Sequence, residues 1–339
     1  MVVNSGVANA ATGTLGLEAA RKTAAIVAEA VGCEEREVLV ASTGVIGVHL
    51  PLGPFETGVP VAVAQASAAP ESGAAAARAI MTTDTHPKEC AVVFSGDEVG
   101  YPGCTFTVGG MAKGSGMIMP NMATMISVIT TDAPVCAPDL HAALKRAVDR
   151  SFNKVTVDSD TSTNDTCVCM SSGAAAPRGE AFSRDSSAYA LFERALEQVC
   201  VTLARAMATD GEGATRLVSV KVGGALDDRD ADLAARTVAN SPLVKTAVYG
   251  RDANWGRIAA ALGRSGARFS QEDVSIDIMG IPVCRSGLAV EFDEQRALEL
   301  FELPEIAIEV DLGAGACEAL VWTCDFSHEY VTINGEYRS

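Results

Sequence analysis

No apolar run among these 339 residues is long enough to cross a membrane, which takes about 20 residues as a helix. Basic residues are in short supply. Lys and Arg number 26 against 43 Asp and Glu, a formal net charge of −17. That balance argues against nonspecific binding to nucleic acid or to an anionic membrane, and it would not repel a substrate that carries an amine. Histidine is scarce, with His49, His86, His141 and His328 only. None is spaced as a metal ligand with the ten scattered cysteines, and there is no CxxC pair, so no metal is expected. The thiols read as reduced and mostly buried, as in a cytoplasmic protein. Cys167 and Cys169 lie two apart in a strand-like run and should face one side of a sheet. The opening residues Met1-Val2-Val3-Asn4 carry neither the basic region nor the apolar core of a secretory leader. No repeat, low-complexity tract or flexible linker is visible.

What is present centres on residues 109–132. The first half, Gly109-Gly110-Met111-Ala112-Lys113-Gly114-Ser115-Gly116, reads as a glycine-rich loop with one lysine. The second half reads as a buried strand that starts after Pro120 and runs through Ile126, Val128 and Ile129. Thr124 stands at the junction, behind Ala123. A threonine held at such a corner can turn its hydroxyl on its own preceding carbonyl. The products are an N-to-O acyl shift, hydrolysis, and a chain cut between Ala123 and Thr124. The freed α-amine, with an ordinary pKa of about 7.7–8.0, would then serve as base beside the hydroxyl. Taken alone, the stretch reads equally well as a loop followed by an ordinary strand.

Elsewhere, helices are expected over 17–31, with Gly32 as the stop, and over 74–81, 139–150, 187–209, 230–238, 254–262 and 294–301. The helix over 187–209 rests on Leu191, Ala195, Val199, Leu203 and Met207 at four-residue spacing. Strands are expected at 38–41, 91–94, 105–108, 218–222, 274–279, 306–312, 319–326 and 330–333, with a turn and strand over 240–250. The mixture implies α/β or α+β architecture in stacked layers. The turn Ser42-Thr43-Gly44-Val45-Ile46-Gly47 would expose N–H groups and a hydroxyl able to stabilise an oxyanion. The hydroxyl- and acid-rich run 155–166 matches neither an EF-hand nor a P-loop, and reads as hydrogen bonding within a buried loop. Glu212, between two glycines, could approach a ligand closely. His86, beside Pro87, reads as a solvated turn residue.

Taken together, nine stretches resemble the ArgJ family, the ornithine acetyltransferases of arginine biosynthesis. They are 4–13 (NSGVANAATG), 42–47 (STGVIG), 79–85 (AIMTTDT), 112–124 (AKGSGMIMPNMAT), 158–166 (DSDTSTNDT), 210–214 (DGEGA), 240–247 (NSPLVKTA), 254–257 (NWGR) and the terminal NGEYRS. They follow in order along the whole chain. Two departures are small: Val7 stands where asparagine is more usual, and Ser339 where threonine is. Family members also carry several more strands of chain upstream of the NSG motif, so that Met1 stands inside what should be a strand.

The resemblance implies an αββα sandwich with a smaller C-terminal α/β domain. It implies an α chain of residues 1–123 and a β chain of residues 124–339, with a second lobe over about 215–339. Two copies of each would assemble in the cytoplasm. Thr124 would be the nucleophile and Thr43 with Gly44 the oxyanion hole. Thr82, Lys113, Thr124, Glu212, Asn334 and Ser339 would bind substrate. The implied reaction moves the acetyl group of N2-acetyl-L-ornithine to L-glutamate without a cofactor, and leaves open acetyl-CoA as a second donor. Two rivals remain: a self-processing amidohydrolase or aminopeptidase in which water replaces glutamate, and an uncleaved binding or scaffold protein.

Overall fold

The structure is a computed structural model that describes residues 1–119, 125–177 and 180–336. Ala123, Thr124 and Ser339 therefore lie outside the described residues. Near the N-terminus, strand β1 (Val2–Asn4) pairs in parallel with β2 (Val40–Ser42), Val3 opposite Ala41. Helices α1 (Gly13–Val31) and α2 (Gly53–Gln65) close a small core around Val27, Leu50, Phe55 and Val59. Gly32 ends α1 with a φ of 81°, its N–H bonded to the Ala28 carbonyl, the left-handed stop its sequence predicts. Nothing in the sequence marks α2 as a helix. Its Gly53, Gly58 and Pro60 are poor helix formers, whereas Pro54 sits in the first turn, where proline is tolerated. Helix α3 (Pro70–Ala79) follows and leads into the loop that carries Thr82.

A four-stranded sheet comes next, in the order β3 (Lys88–Ser95), β4 (Thr105–Lys113), β5 (Ile126–Thr131), β6 (Thr166–Ser171). The first two pairings are antiparallel and β5–β6 is parallel. Helices α4 (Ala137–Asp149) and α5 (Ser187–Thr209) share its core, where Phe106, Val108 and Ile129 meet Phe192, Leu196, Val199 and Leu203. Cys167 and Cys169 both pack against that core from β6.

The expected loop at 109–113 is instead the end of β4. Gly110 pairs with Cys90 on one side and Ile129 on the other. Glycine is needed there for closeness: a side chain at Gly110 would press on Leu203, Val199 and Ile129.

The last layer is a six-stranded sheet built from β7 (Leu217–Ala225), β8 (Ser275–Ile278), β9 (Ile281–Arg285), β10 (Leu288–Ala289), β11 (Glu305–Asp311) and β12 (Cys317–Cys324), ordered β10-β9-β8-β11-β7-β12. Helices α6 (Asp228–Ala239) and α8 (Trp255–Gly263) bury Ala231, Ala234, Val238, Ile258 and Leu262 in its core, and α9 (Glu294–Leu300) precedes β11.

Two expected strands are helices. Residues 240–250 contain α7 (Pro242–Tyr249), capped by the Ser241 hydroxyl with proline in its first turn. Residues 330–333 lie in α10 (His328–Glu336). In both, β-branched residues imitate a strand, and tertiary packing decides otherwise. Lys245 of α7 is wholly buried, its ammonium 2.7 Å from the Thr323 hydroxyl and over the Phe326 ring, and Tyr330 of α10 stacks on Phe326.

Strand β12 ties the last layer to the rest. Its Trp322 belongs to the core beneath α5, accepts the Thr156 N–H at its carbonyl (2.9 Å), and lies under the Arg205 guanidinium. The architecture is mixed α/β in layers.

Candidate functional site

The site is assembled from loop ends. At the end of β2 the chain turns through Thr43 and Gly44. The Thr43 N–H is spent on the Asn4 carbonyl (3.0 Å), and the Val45 N–H on Gly6 (3.2 Å). The turn therefore exposes only some of its N–H groups: among the described residues no partner takes the Thr43 hydroxyl, the Gly44 N–H or the Ile46 N–H. Gly44 has a φ of 128°, and a side chain there would overlap the Gly6 backbone. The turn can therefore take this shape only with glycine.

Lys113, the last residue of β4, is 5% exposed. Among the described residues its ammonium makes no ion pair. Burial pulls its pKa below the ordinary lysine value; Asp84 pulls it back, Lys88 pushes it further down, and Glu212 and Asp165 oppose that. Directly after it, Gly114-Ser115-Gly116 turns across the site. A side chain at Gly116 would overlap the Glu212 carboxylate, so the glycine is what lets Glu212 reach in. Glu212 is held by its N–H on the Ser115 carbonyl (2.9 Å) and by the Asn334 amide on its Oε2 (2.8 Å). Asn334 comes from α10, so helix, not strand, delivers it.

Beneath these groups lies a buried ion triad that sequence analysis missed. Lys88 Nζ sits 2.6 Å from Asp84 Oδ1 and 2.5 Å from Asp210 Oδ2, and all three side chains are almost fully excluded from solvent. Asp84 accepts the N–H groups of Thr82 (3.1 Å) and Gly114 (2.7 Å). Asp210 accepts the Thr85 N–H and hydroxyl, and its carbonyl accepts the Ser115 hydroxyl (2.6 Å). Burial alone would raise Asp84. Lys88, the Gly114 N–H and Lys113 outweigh it and hold that carboxyl below its ordinary value. The triad thus fixes the loops that carry Thr82, Lys113 and Glu212. Asp84 and Asp210 stood inside stretches already singled out; Lys88 had no signal at all. His86 stays half-exposed at the rim, 3.3 Å from Asp210 Oδ1, and does not line the cavity.

The hydroxyl- and acid-rich loop does form hydrogen bonds within the fold, although it is not the buried loop expected: Ser159, Asp160, Thr161 and Thr163 are exposed. Asp158 accepts the N–H groups of Met117 (2.5 Å) and Ile118 (2.9 Å). Asn164 donates to the carbonyls of Ala8 (2.6 Å) and Ser42 (3.0 Å), binding the loop to the oxyanion turn.

One cavity is lined by Thr43, Gly44, Thr82, Lys113, Glu212 and Asn334, and these are all the nominated site residues that fall among the described ones. A smaller cavity beside it joins Thr43 and Lys113 to Met125, the residue after Thr124. The arrangement offers hydroxyl and amide donors at one wall, a buried cation, and a buried carboxylate opposite in charge. It suits a small zwitterion. Among the described residues no group of His, Cys, Asp and Glu could hold a metal ion, and no helix is long and apolar enough to cross a membrane.

The profile of the ArgJ family matches residues 1–339. The arginine biosynthesis bifunctional protein ArgJ of Symbiobacterium thermophilum is 49% identical over 340 residues, covering 100% of this chain and 82% of that protein. The protein of the same name from Chlorobaculum tepidum is 48% identical, covering 100% and 81%. A crystal structure of the arginine biosynthesis bifunctional protein from Bacillus halodurans superposes with a TM-score of 0.59 at 41% identity, covering 61% of this chain and 97% of that one.

Proposed function

The chain belongs to the ArgJ family, and from that premise we propose that it is an acyltransferase of arginine biosynthesis. It moves the acetyl group of N2-acetyl-L-ornithine to L-glutamate through an acetyl-Thr124 intermediate. The observation that carries this reading is the meeting of Thr43, Gly44, Thr82, Lys113, Glu212 and Asn334 in one cavity that adjoins Met125.

The proposed cycle begins with self-cleavage. The Thr124 hydroxyl adds to the Ala123 carbonyl carbon, the peptide C–N bond breaks, and water hydrolyses the resulting ester. Ala123 is left with a carboxylate and Thr124 with a free α-amine. In turnover that amine takes the hydroxyl proton as Thr124 Oγ1 attacks the acetyl carbonyl, and returns it to the departing ornithine α-nitrogen. The Thr43 hydroxyl and Gly44 N–H stabilise the oxyanion. Glutamate then attacks the acetyl ester, and Thr124 is regenerated. Lys113 pairs with the substrate carboxylate and Glu212 with the side-chain amine of ornithine, with Thr82, Asn334 and Ser339 completing the pocket. On this reading residues 1–123 form the α chain and 124–339 the β chain, with a second lobe from about 215. Two of each assemble in the cytoplasm, and acetyl-CoA is a candidate second donor.

Intact mass and N-terminal sequencing of purified protein, followed by an assay with N-acetylornithine and glutamate, test the proposal. Two fragments divided before Thr124 and glutamate-dependent acetyl transfer are expected. A single uncleaved chain without transfer would exclude it, and acetyl release without need of glutamate would favour the hydrolase.

A further inference from the structure

Asp165 opens the strand beside the head of β5. The parallel register sets Ile126 opposite Thr166, and the Thr166 N–H donates to the Met125 carbonyl at 2.7 Å. Asp165 therefore flanks Met125, one residue from Thr124. Both its carboxylate oxygens are buried, and among the described residues the donor that faces them is the Met125 N–H. The carboxyl shares the small cavity with Lys113 and Thr43. Its loop cannot drift, because Asn164 is bonded to the carbonyls of Ala8 and Ser42.

A buried acid with so little hydrogen bonding is costly to the fold. Local rules broken in this way are expected where function requires it. The unpaired complement that shares this cavity is the Lys113 ammonium, which is buried and without an ion-pair partner among the described residues.

We propose that Asp165 is a positioning residue that acts through Lys113: at alkaline pH its carboxylate is the counter-charge that keeps the ammonium charged in the cavity they share, so that the pair sets the upper limit of the pH range over which a substrate carboxylate is held. The inference rests on the acyl-transfer reading above.

The other charged groups facing Lys113 are Asp84, Lys88 and Glu212. Those bordering Asp165 from its far side are His141, Lys145 and Asp149 of α4, with the thiol of Cys167 on β6. Burial pushes the Asp165 carboxyl up to about 8, against the pull of the Met125 N–H and then of Lys113. Below that pH the acid is neutral, and Asn is a close copy of it. Above that pH only the native residue supplies the negative charge.

The pH profile of kcat/KM for N-acetylornithine separates a charge role from a packing role, since the acetylated α-nitrogen of this substrate does not titrate. In Asp165→Asn the basic limb should move down by at least about half a pH unit, the loss being Lys113 deprotonation. In a Lys113→Arg background, where the cation cannot be discharged, the Asp165→Asn change should produce no such shift. A basic limb that stays in place, or one that moves equally in the Lys113→Arg background, would overturn the proposal.

A second readout needs no turnover. The folded-state carboxyl titrates above its unfolded value of 3.8, so native stability is lost as pH rises from about 4 to about 8. The Tm advantage of Asp165→Asn over the native protein should therefore grow across that window. An advantage equal at both ends would show the carboxyl to be paired after all. If the native protein transfers no acetyl group at all, the functional reading fails and takes this inference with it. If it transfers but the limb and the Tm window do not respond, only the role of Asp165 fails.

Discussion

Gly116 and Glu212 are so close that any side chain at 116 would occupy the space of the carboxylate. Gly116→Ala should push Glu212 out of the cavity, and with it the anion proposed to receive the ornithine amine. The expected outcome is a loss of at least about tenfold in kcat/KM for N-acetylornithine, roughly 1.4 kcal/mol, with the unfolding midpoint little changed. Steady-state kinetics beside a melting curve check this; normal kinetics would mean that Glu212 does not hold the amine. The pair also marks how far single residues were legible. Glu212 between glycines was visible as a carboxylate free to approach a ligand. The reason for Gly116 was invisible, because its partner is almost a hundred positions away and no local pattern records the contact. Lys88 shows the same limit. A lysine ahead of a strand reads as solvated, yet this one is 2% exposed between the carboxylate of Asp84, an i,i+4 neighbour, and that of Asp210 from a distant segment.

The elements that sequence located well are those whose packing repeats locally. Helix α5 was placed over 187–209 because its buried face recurs every fourth residue along a single core, from Ala195 through Val199 and Leu203 to Met207. Helices α7 and α10 were misread because Val244, Thr246 and Val248, and then Tyr330, Val331, Thr332 and Ile333, favour strands by type. Their helical state is decided by contacts with β12 and with the segment that follows it. The ion triad is the device that converts element placement into site geometry, and it carries its own prediction. Asp84 is held below its ordinary value of 3.8, so its contribution to stability is complete above that pH and is lost as pH falls through the folded value. Lys88→Met would take from two buried carboxylates the cation between them, at a cost of about 3–5 kcal/mol. The stability gap to the native protein should be widest at neutral and alkaline pH and should narrow on acidification, as protonation relieves the buried charges. Denaturant melts across pH 3 to 8 decide it; a gap independent of pH would mean that Lys88 acts by packing alone.

At the scale of the whole molecule, the site belongs to no single layer. The turn after β2 supplies Thr43 and Gly44, the loop after α3 supplies Thr82, the end of β4 supplies Lys113, the segment after α5 supplies Glu212, and α10 supplies Asn334. Strand β12 and its Trp322 hold the six-stranded layer against α5, so that α10 reaches the cavity from the far end of the chain. The layered α/β class was legible because helical and strand periods alternate along the sequence. The assembly of the site from five separated segments was legible only through the resemblance of whole motifs, since spacing within one segment carries no information about the others. Everything turns on one hydroxyl, that of a residue which cleavage makes a chain terminus, as the carrier of the acetyl group. Mass spectrometry of the protein quenched in acid after brief mixing with N-acetylornithine, with glutamate withheld, tests it directly. An added acetyl group is expected on the fragment that begins at Thr124, located to that residue by peptide sequencing and removed when glutamate is supplied. Transfer to glutamate with no acetyl group ever found on Thr124 would contradict it.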